Sequence, residues 1–385
     1  MRKFIFPLLF ALILSGCRHR DSNSQESLFT IIPIKAGTSI DTNLSEFASS
    51  IDYIRLETNP DCLVGSISRF VIFKDRIYMW DGRARATIFC FDIHGKFIYK
   101  IQRSGKGPGE YIGVYDMYID ERKEQIVLYD ASQAKIIRYS INGEFVEEIQ
   151  HILLPMAIAA YDSDSYWFYT MGSVKLAGIT PLHNLLNVGK DGKTVLSSHF
   201  PFNPNLDNLL HRAFNNDNGY LTFCYSYCDT IYRIKNSEIH PFVFIDFNKS
   251  NLIKQLSRYS PAQKNERDQI INNKDFADIN DVLVSDQYLF ASYASSSFMS
   301  KVLYSFSTQK LFHIRNLVND IDEVPFNFFP KKLSKGKAYL TINPLEIVEL
   351  FSKNAKSGGK TIPKSLNDIK IDDNPIIAII QLKDF

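Results

Sequence analysis

Four groups of residues in this 385-residue chain are of types and spacings that could do chemistry. The first is Leu14-Ser15-Gly16-Cys17, which follows Arg2, Lys3 and the apolar run Phe4 to Leu14. A charged start, an apolar run too short to span a bilayer and a small-residue ending make a secretory signal. The ending matches the lipobox at which bacterial signal peptidase II cuts, so Cys17 is the expected lipid-bearing residue. The second group is the loop Gly105-Lys106-Gly107-Pro108-Gly109-Glu110-Tyr111. It is glycine-rich and carries a lysine, but a phosphate loop needs Gly-x-x-x-x-Gly-Lys followed by Ser or Thr and a helix. A crossover between two sheets fits it better. The third group, Cys224 and Cys228, is close enough to bridge a turn as a disulfide in an exported chain. The fourth is Asp81, Asp130 and Asp229, acidic residues at strand ends that could ring a metal ion, although their recurrence favours turn capping.

The familiar catalytic constellations are missing. No Gly-x-Ser-x-Gly elbow is present, and the eight histidines include no His-x-x-x-His pair. No cofactor and no metal ligand set are read from the sequence. With Arg2 and Lys3 removed alongside residues 1–16, basic and acidic residues balance at 42 each. That balance argues against nucleic acid as a partner, because such binding works through excess Lys and Arg.

The elements that would position any site repeat. Ile77 to Asp81, Ile88 to Asp92 and Gly95 to Ile98 recur as Ile126 to Asp130, Ile136 to Tyr139 and Gly143 to Val146, and Gly192 extends the spacing of 48 or 49 residues. A period of that size filled with short strands predicts a β-propeller, and the unbroken apolar runs predict sheets covered on both faces. Blades are expected near 67–101, 114–149, 156–193, 220–247 and 282–312. The strand Ile51 to Leu56 and the strand Asn374 to Leu382 are expected to share the last blade and close the ring. Two helices are expected, one from Ser260 to about Asn272 and one from Asn343, the second packing through Leu345, Val348 and Phe351.

The expected organisation is therefore a signal peptide at 1–16, a lipidated polar tether at 17–28, and one all-β domain at 29–385. That domain is a six-bladed propeller of four-stranded antiparallel blades, closed by the terminal strands. If the turns Lys74-Asp75 and His94-Gly95 lie on one rim, the opposite rim collects Arg83, Arg85, Arg103, Lys106, Glu110, Tyr111, Gln133 and Lys135. Such rims commonly receive ligands, so an acidic glycan, peptide or envelope protein is the expected partner.

The lipobox, the loop Gly105 to Tyr111, the strand Asp229-Thr230-Ile231-Tyr232-Arg233-Ile234 and the closing Asp372-Asp373-Asn374-Pro375 together resemble the six-bladed propeller lipoproteins of Bacteroides-type bacteria, which are related in shape to NHL-repeat propellers. The resemblance runs end to end. It implies a lipid-anchored protein of the cell envelope and transfers no catalytic residue. A monomer at the outer membrane is expected, with periplasmic facing as the default because Arg18-His19-Arg20-Asp21 lacks the acidic run of a surface-export signal. The expected function is a ligand- or protein-binding accessory module. The alternative is a metal-dependent, lactonase-like hydrolase using the propeller axis.

Overall fold

In the strand Arg76–Asp81 every residue after the first is buried, yet alternate side chains go to different interfaces. Ile77 and Met79 pack with Ile377 and Tyr339 on one side, whereas Tyr78 and Trp80 pack with Leu128 and Ile137 on the other. Neighbouring strands sort the same way, Phe89 and Phe91 against Ile88 and Cys90. An unbroken apolar run thus serves two cores because its sheet is covered on both faces.

The computed structural model describes residues 29–385 apart from 83–85, 152, 161–164, 171–182, 204, 206–211, 218–219, 249–251, 261, 273–276, 296–298 and 358–362, and apart from the side chains of 252–253 and 353–357. Cys17, Arg83, Arg85 and the signal and tether segments lie outside the described residues.

Six sheets form a ring. Blade 1 runs from Ile67 to Ile101, blade 2 from Val114 to Gln150, blade 3 from Ala157 to Pro201, blade 4 from Phe214 to Asp246 and blade 5 from Ala277 to Val318. Blade 6 combines Lys332–Ser334, Lys337–Ile342 and Ile376–Leu382 with Ala48–Arg55 from the other end of the chain. The expected closure is present: Ile376 pairs with Arg55 and Leu382 with Ala48. Six apolar clusters each join two neighbouring blades, including Ile377 of blade 6 with Phe70 and Ile77 of blade 1. The ring leaves no blade without a neighbour.

The recurring glycines mark blade-to-blade contacts. Gly95, Gly143 and Gly192 all have positive φ, at 88°, 86° and 68°. At Gly95 an added Cβ would sit 2.1 Å from the Arg55 carbonyl oxygen of blade 6, and at Gly143 it would sit 2.8 Å from the Tyr99 ring of blade 1. Glycine is required twice over there, by conformation and by space.

The structure adds and corrects several elements. The short strand Thr30–Pro33 lies parallel on the outer strand of blade 4, with Thr30 opposite Val243, and Ile40–Asn43 lies parallel on that of blade 5, with Ile40 opposite Ile314. Both add a fifth strand to sheets expected to have four. Blade 4 starts earlier than expected, at Phe214–Asp217, and blade 5 at Ala277. The first helix occupies Lys264–Ile271 and is preceded by a second, Leu252–Leu256. In the helix Pro344–Ser357 the anchor is Ile347, which is fully buried, while Leu345 faces solvent at 41% exposure. The expected packing through Leu345 is thereby corrected, since Ile347 lies on the face turned to the core. No described helix is long and apolar enough to cross a membrane.

Candidate functional site

The first strands of the blades line the propeller axis. Where they begin, Ser68, Tyr115, Met156, Ala213 and Lys331 surround a depression of about 500 Å³ that also touches Trp80, Tyr169, Arg212, Asp281 and Phe329. Below it lies a cavity of about 90 Å³ reached by Phe70, Asp116, Ile158 and Asn215. Arg69, Arg212 and Lys331 line both spaces, so these three cations form the neck between them.

The carboxylates near the neck are unequally occupied. Asp116, 3% exposed at its side chain, accepts from Arg69 Nε at 2.8 Å and Nη2 at 2.7 Å, from the Met117 amide at 2.9 Å and from the Ile158 amide at 3.1 Å. It ties the first strands of blades 1, 2 and 3 together. Asp281 is looser: Arg212 Nε stands 3.8 Å from its Oδ1, and that buried oxygen accepts no hydrogen bond among the described residues. Arg212 donates instead to the Lys331 carbonyl at 3.2 Å. The Lys331 ammonium has no hydrogen-bond or ion-pair partner among the described residues. Burial lowers the proton affinity of Arg212, and burial together with the Arg212 charge lowers that of Lys331.

At the other end of the axis Lys332 pairs with Asp217 at 3.3 Å, and burial raises the Asp217 pKa. Asp116, Asp281 and Asp217 therefore each face a cation. Such a donor set does not suit a divalent metal, which needs several uncommitted oxygens, and no group of three His, Cys, Asp or Glu among the described residues could hold one.

The expected basic rim divides by burial. Tyr111 is 1% exposed and its hydroxyl donates to the Ile101 carbonyl. Lys135 is 3% exposed and its ammonium reaches the Gly107 and Glu110 carbonyls and, at 3.1 Å, the Glu148 carboxylate. Glu110 accepts from the Gly107 amide, and Gln133 donates to the Gly105 carbonyl and to Asp130. These four residues hold the crossover from blade 1 to blade 2 in shape. Arg103 and Lys106 remain exposed on the same loop, Arg103 over the Tyr139 ring. Asp81 and Asp130 cap incoming crossovers, Asp81 accepting from the Ser66 amide and Asp130 from the Ile112, Ser132 and Gln133 amides. Cys224 and Cys228 are thiols rather than a disulfide, Cys224 Sγ donating to the Cys228 carbonyl and Cys228 Sγ to that of Thr230.

The model of one family, a domain of unknown function designated DUF4934, matches residues 29–381. The chain belongs to the DUF4934 family. The match takes in all six blades of this DUF4934 propeller, including both fifth strands. No curated protein matches the chain. Among solved structures, a candidate exported protein of Bacteroides fragilis superposes with a TM-score of 0.73 at 17% identity, covering 92% of this chain and all of that one. A member of the DUF4221 family from Bacteroides vulgatus superposes with a TM-score of 0.50 at 10% identity, covering 87% of this chain and 97% of that one. At these identities the likeness concerns the fold.

The cations at the axis of the DUF4934 propeller are absent from the expected site. Arg69 lies within a first strand, whereas Arg212 and Lys331 each lie just ahead of one, on blades 1, 4 and 6. No local spacing links them; only closure of the ring does. One signal was available, since a charged residue at the edge of an apolar first strand must point either to the axis or to solvent.

Proposed function

We propose that the protein is a lipid-anchored binding module of the bacterial cell envelope that takes its ligand at the axial mouth. The observation that carries this reading is the mouth itself, a depression of about 500 Å³ in which aromatic side chains adjoin an under-balanced cationic neck. A concave site with apolar walls and a few convergent polar groups is the usual form of a small-ligand site. The pairing of the axial carboxylates supports binding over metal-dependent hydrolysis. The lipobox ending in Cys17 supports the anchor, and likeness to a candidate exported protein of Bacteroides fragilis supports export. The exposed Arg103 and Lys106 would then offer a basic border through which a larger acidic glycan or partner could approach.

Two experiments test this. Cys17→Ala should move the protein from the membrane fraction to the soluble one; continued sedimentation with membranes rejects the anchor. A protein-free extract of the host's cell envelope should raise the thermal midpoint of the full chain, as any ligand of the folded state does. Met156→Trp, which fills the mouth from a residue that is 37% exposed, should abolish the rise. An equal rise in both proteins, or none in either, rejects binding at the axis.

A further inference from the structure

The axial neck holds more positive than negative charge. Arg69 is satisfied, because Asp116 takes both of its contacts and spends its second oxygen on the Ile158 amide. That leaves Arg212 and Lys331 sharing Asp281, 3.8 Å from Arg212, as their nearest counter-charge, so the neck sets three cations against the two carboxylates of Asp116 and Asp281. The Arg212 side chain is 12% exposed. Charges held that far from water are normally paired, so one negative charge is missing from the neck.

We propose that the neck receives one carboxylate, carried by a small molecule whose flat apolar face lies on the aromatic wall of the mouth. The proposal rests on the binding-module reading and specifies its ligand class. A monoanion balances the surplus, whereas a phosphate dianion would reverse it and lie against Asp281. The cavity below the neck, about 90 Å³, admits a carboxylate and water but no ring. A ring must stay in the mouth, where Tyr115 stands 54% exposed and Trp80 is almost covered. Two sources share this chemistry, a hexuronic acid sugar and an aromatic carboxylic acid.

Calorimetric titration of the full chain with D-glucuronate, benzoate, D-glucose and inorganic phosphate tests the proposal and separates the sources. One of the two carboxylates should bind, with glucose and phosphate at least about tenfold weaker, the scale set by one charge contact in a partly desolvated site. Lys331→Gln should weaken that carboxylate about tenfold and Asp281→Asn should tighten it by a similar factor, since the two substitutions remove charges of opposite sign. Tyr115→Ala should weaken it about fivefold through lost ring contact. The proposal is overturned if glucose binds as tightly as glucuronate, if Lys331→Gln and Asp281→Asn shift affinity in the same direction, or if neither carboxylate binds. Should neither bind while the envelope extract still raises the thermal midpoint, the ligand class is wrong and the binding reading survives. Should the extract fail as well, both fall.

Discussion

His151 makes this fold sensitive to acid, and the size of the effect follows from its surroundings. The side chain is 5% exposed, between Tyr129 at 5.2 Å and Phe168 at 5.7 Å, where blades 2 and 3 meet. Neither ring nitrogen makes a full hydrogen bond. Burial pushes its pKa down to about 4, with the Leu153 backbone and the Asp130 charge opposing only weakly. The unfolded chain takes up this proton near pH 6.5 and the folded chain only near 4, so the unfolded state holds more protons between those values. Stability contributed by the neutral ring is complete above pH 6.5, falls as pH drops through the window, and falls no further below about 4. At 1.36 kcal/mol per pH unit over that window, the loss is about 3 kcal/mol. Burial also lowers the pKa values of His199 and His313, so wild type alone cannot isolate the contribution. His151→Phe keeps the aromatic packing and removes the titration. Urea unfolding followed by tryptophan fluorescence at pH 7.5, 6, 5 and 4 should show wild type losing about 3 kcal/mol more than His151→Phe across the series. Parallel curves for the two proteins would refute the reasoning.

The same unfolding assay bears on three other features. Asp116→Asn should cost about 3 kcal/mol, because it strands the partly buried Arg69 and weakens the hold on the Ile158 amide, whereas Glu124→Ala, which breaks the exposed pair with Lys74, should cost less than about 1 kcal/mol; equal losses would contradict this assignment. Gly95→Ala should cost well beyond the about 1–2 kcal/mol of left-handed strain that Gly37→Ala would incur, since Gly37 also has positive φ but has nothing within 4 Å of an added Cβ. A chain ending at Asp373 loses the strand between Ala48–Arg55 and Lys337–Ile342; it should unfold without a sharp transition, and an unchanged midpoint would show that ring closure contributes little.

What could be read from residues alone depended on whether the signal was local. Ile77 to Asp81 and Ile126 to Asp130 announce strands because five consecutive apolar or capping residues are all buried. Gly95, Gly143 and Gly192 keep their spacing because each blade meets the preceding one through the same turn. The terminal strands were legible because Ile376–Leu382 is too apolar to be left on an edge. Thr30–Pro33 and Ile40–Asn43 were not, being four residues each, partly polar, and paired with strands more than two hundred residues away. Lys135 and Tyr111 looked like surface chemistry because their types suggest it; the carbonyls of the Gly105 to Glu110 loop, which draw the lysine inward, emerge only from the folded crossover. Arg212 and Lys331 are marked only as charges at the edges of first strands, and nothing joins them until blades 4 and 6 are brought to one axis.

The pairings of the N-terminal segment also set an order of events. Thr30 waits for Val243, Ile40 for Ile314 and Ala48 for Leu382. When the chain emerges N-terminus first, as from a ribosome or a translocation channel, residues 29–55 appear before any of the first five blades and are the last to find all their partners. Blades 1 to 3 can assemble from contiguous sequence while this leading segment is still loose. Its three strands then lock in chain order, blade 4, blade 5 and blade 6, like a seam drawn shut from one end. A ribosome stalled before residue 376 would therefore hold out Ala48–Arg55 unpaired, open to proteases, on a chain whose blades 1 to 5 already have all their strands.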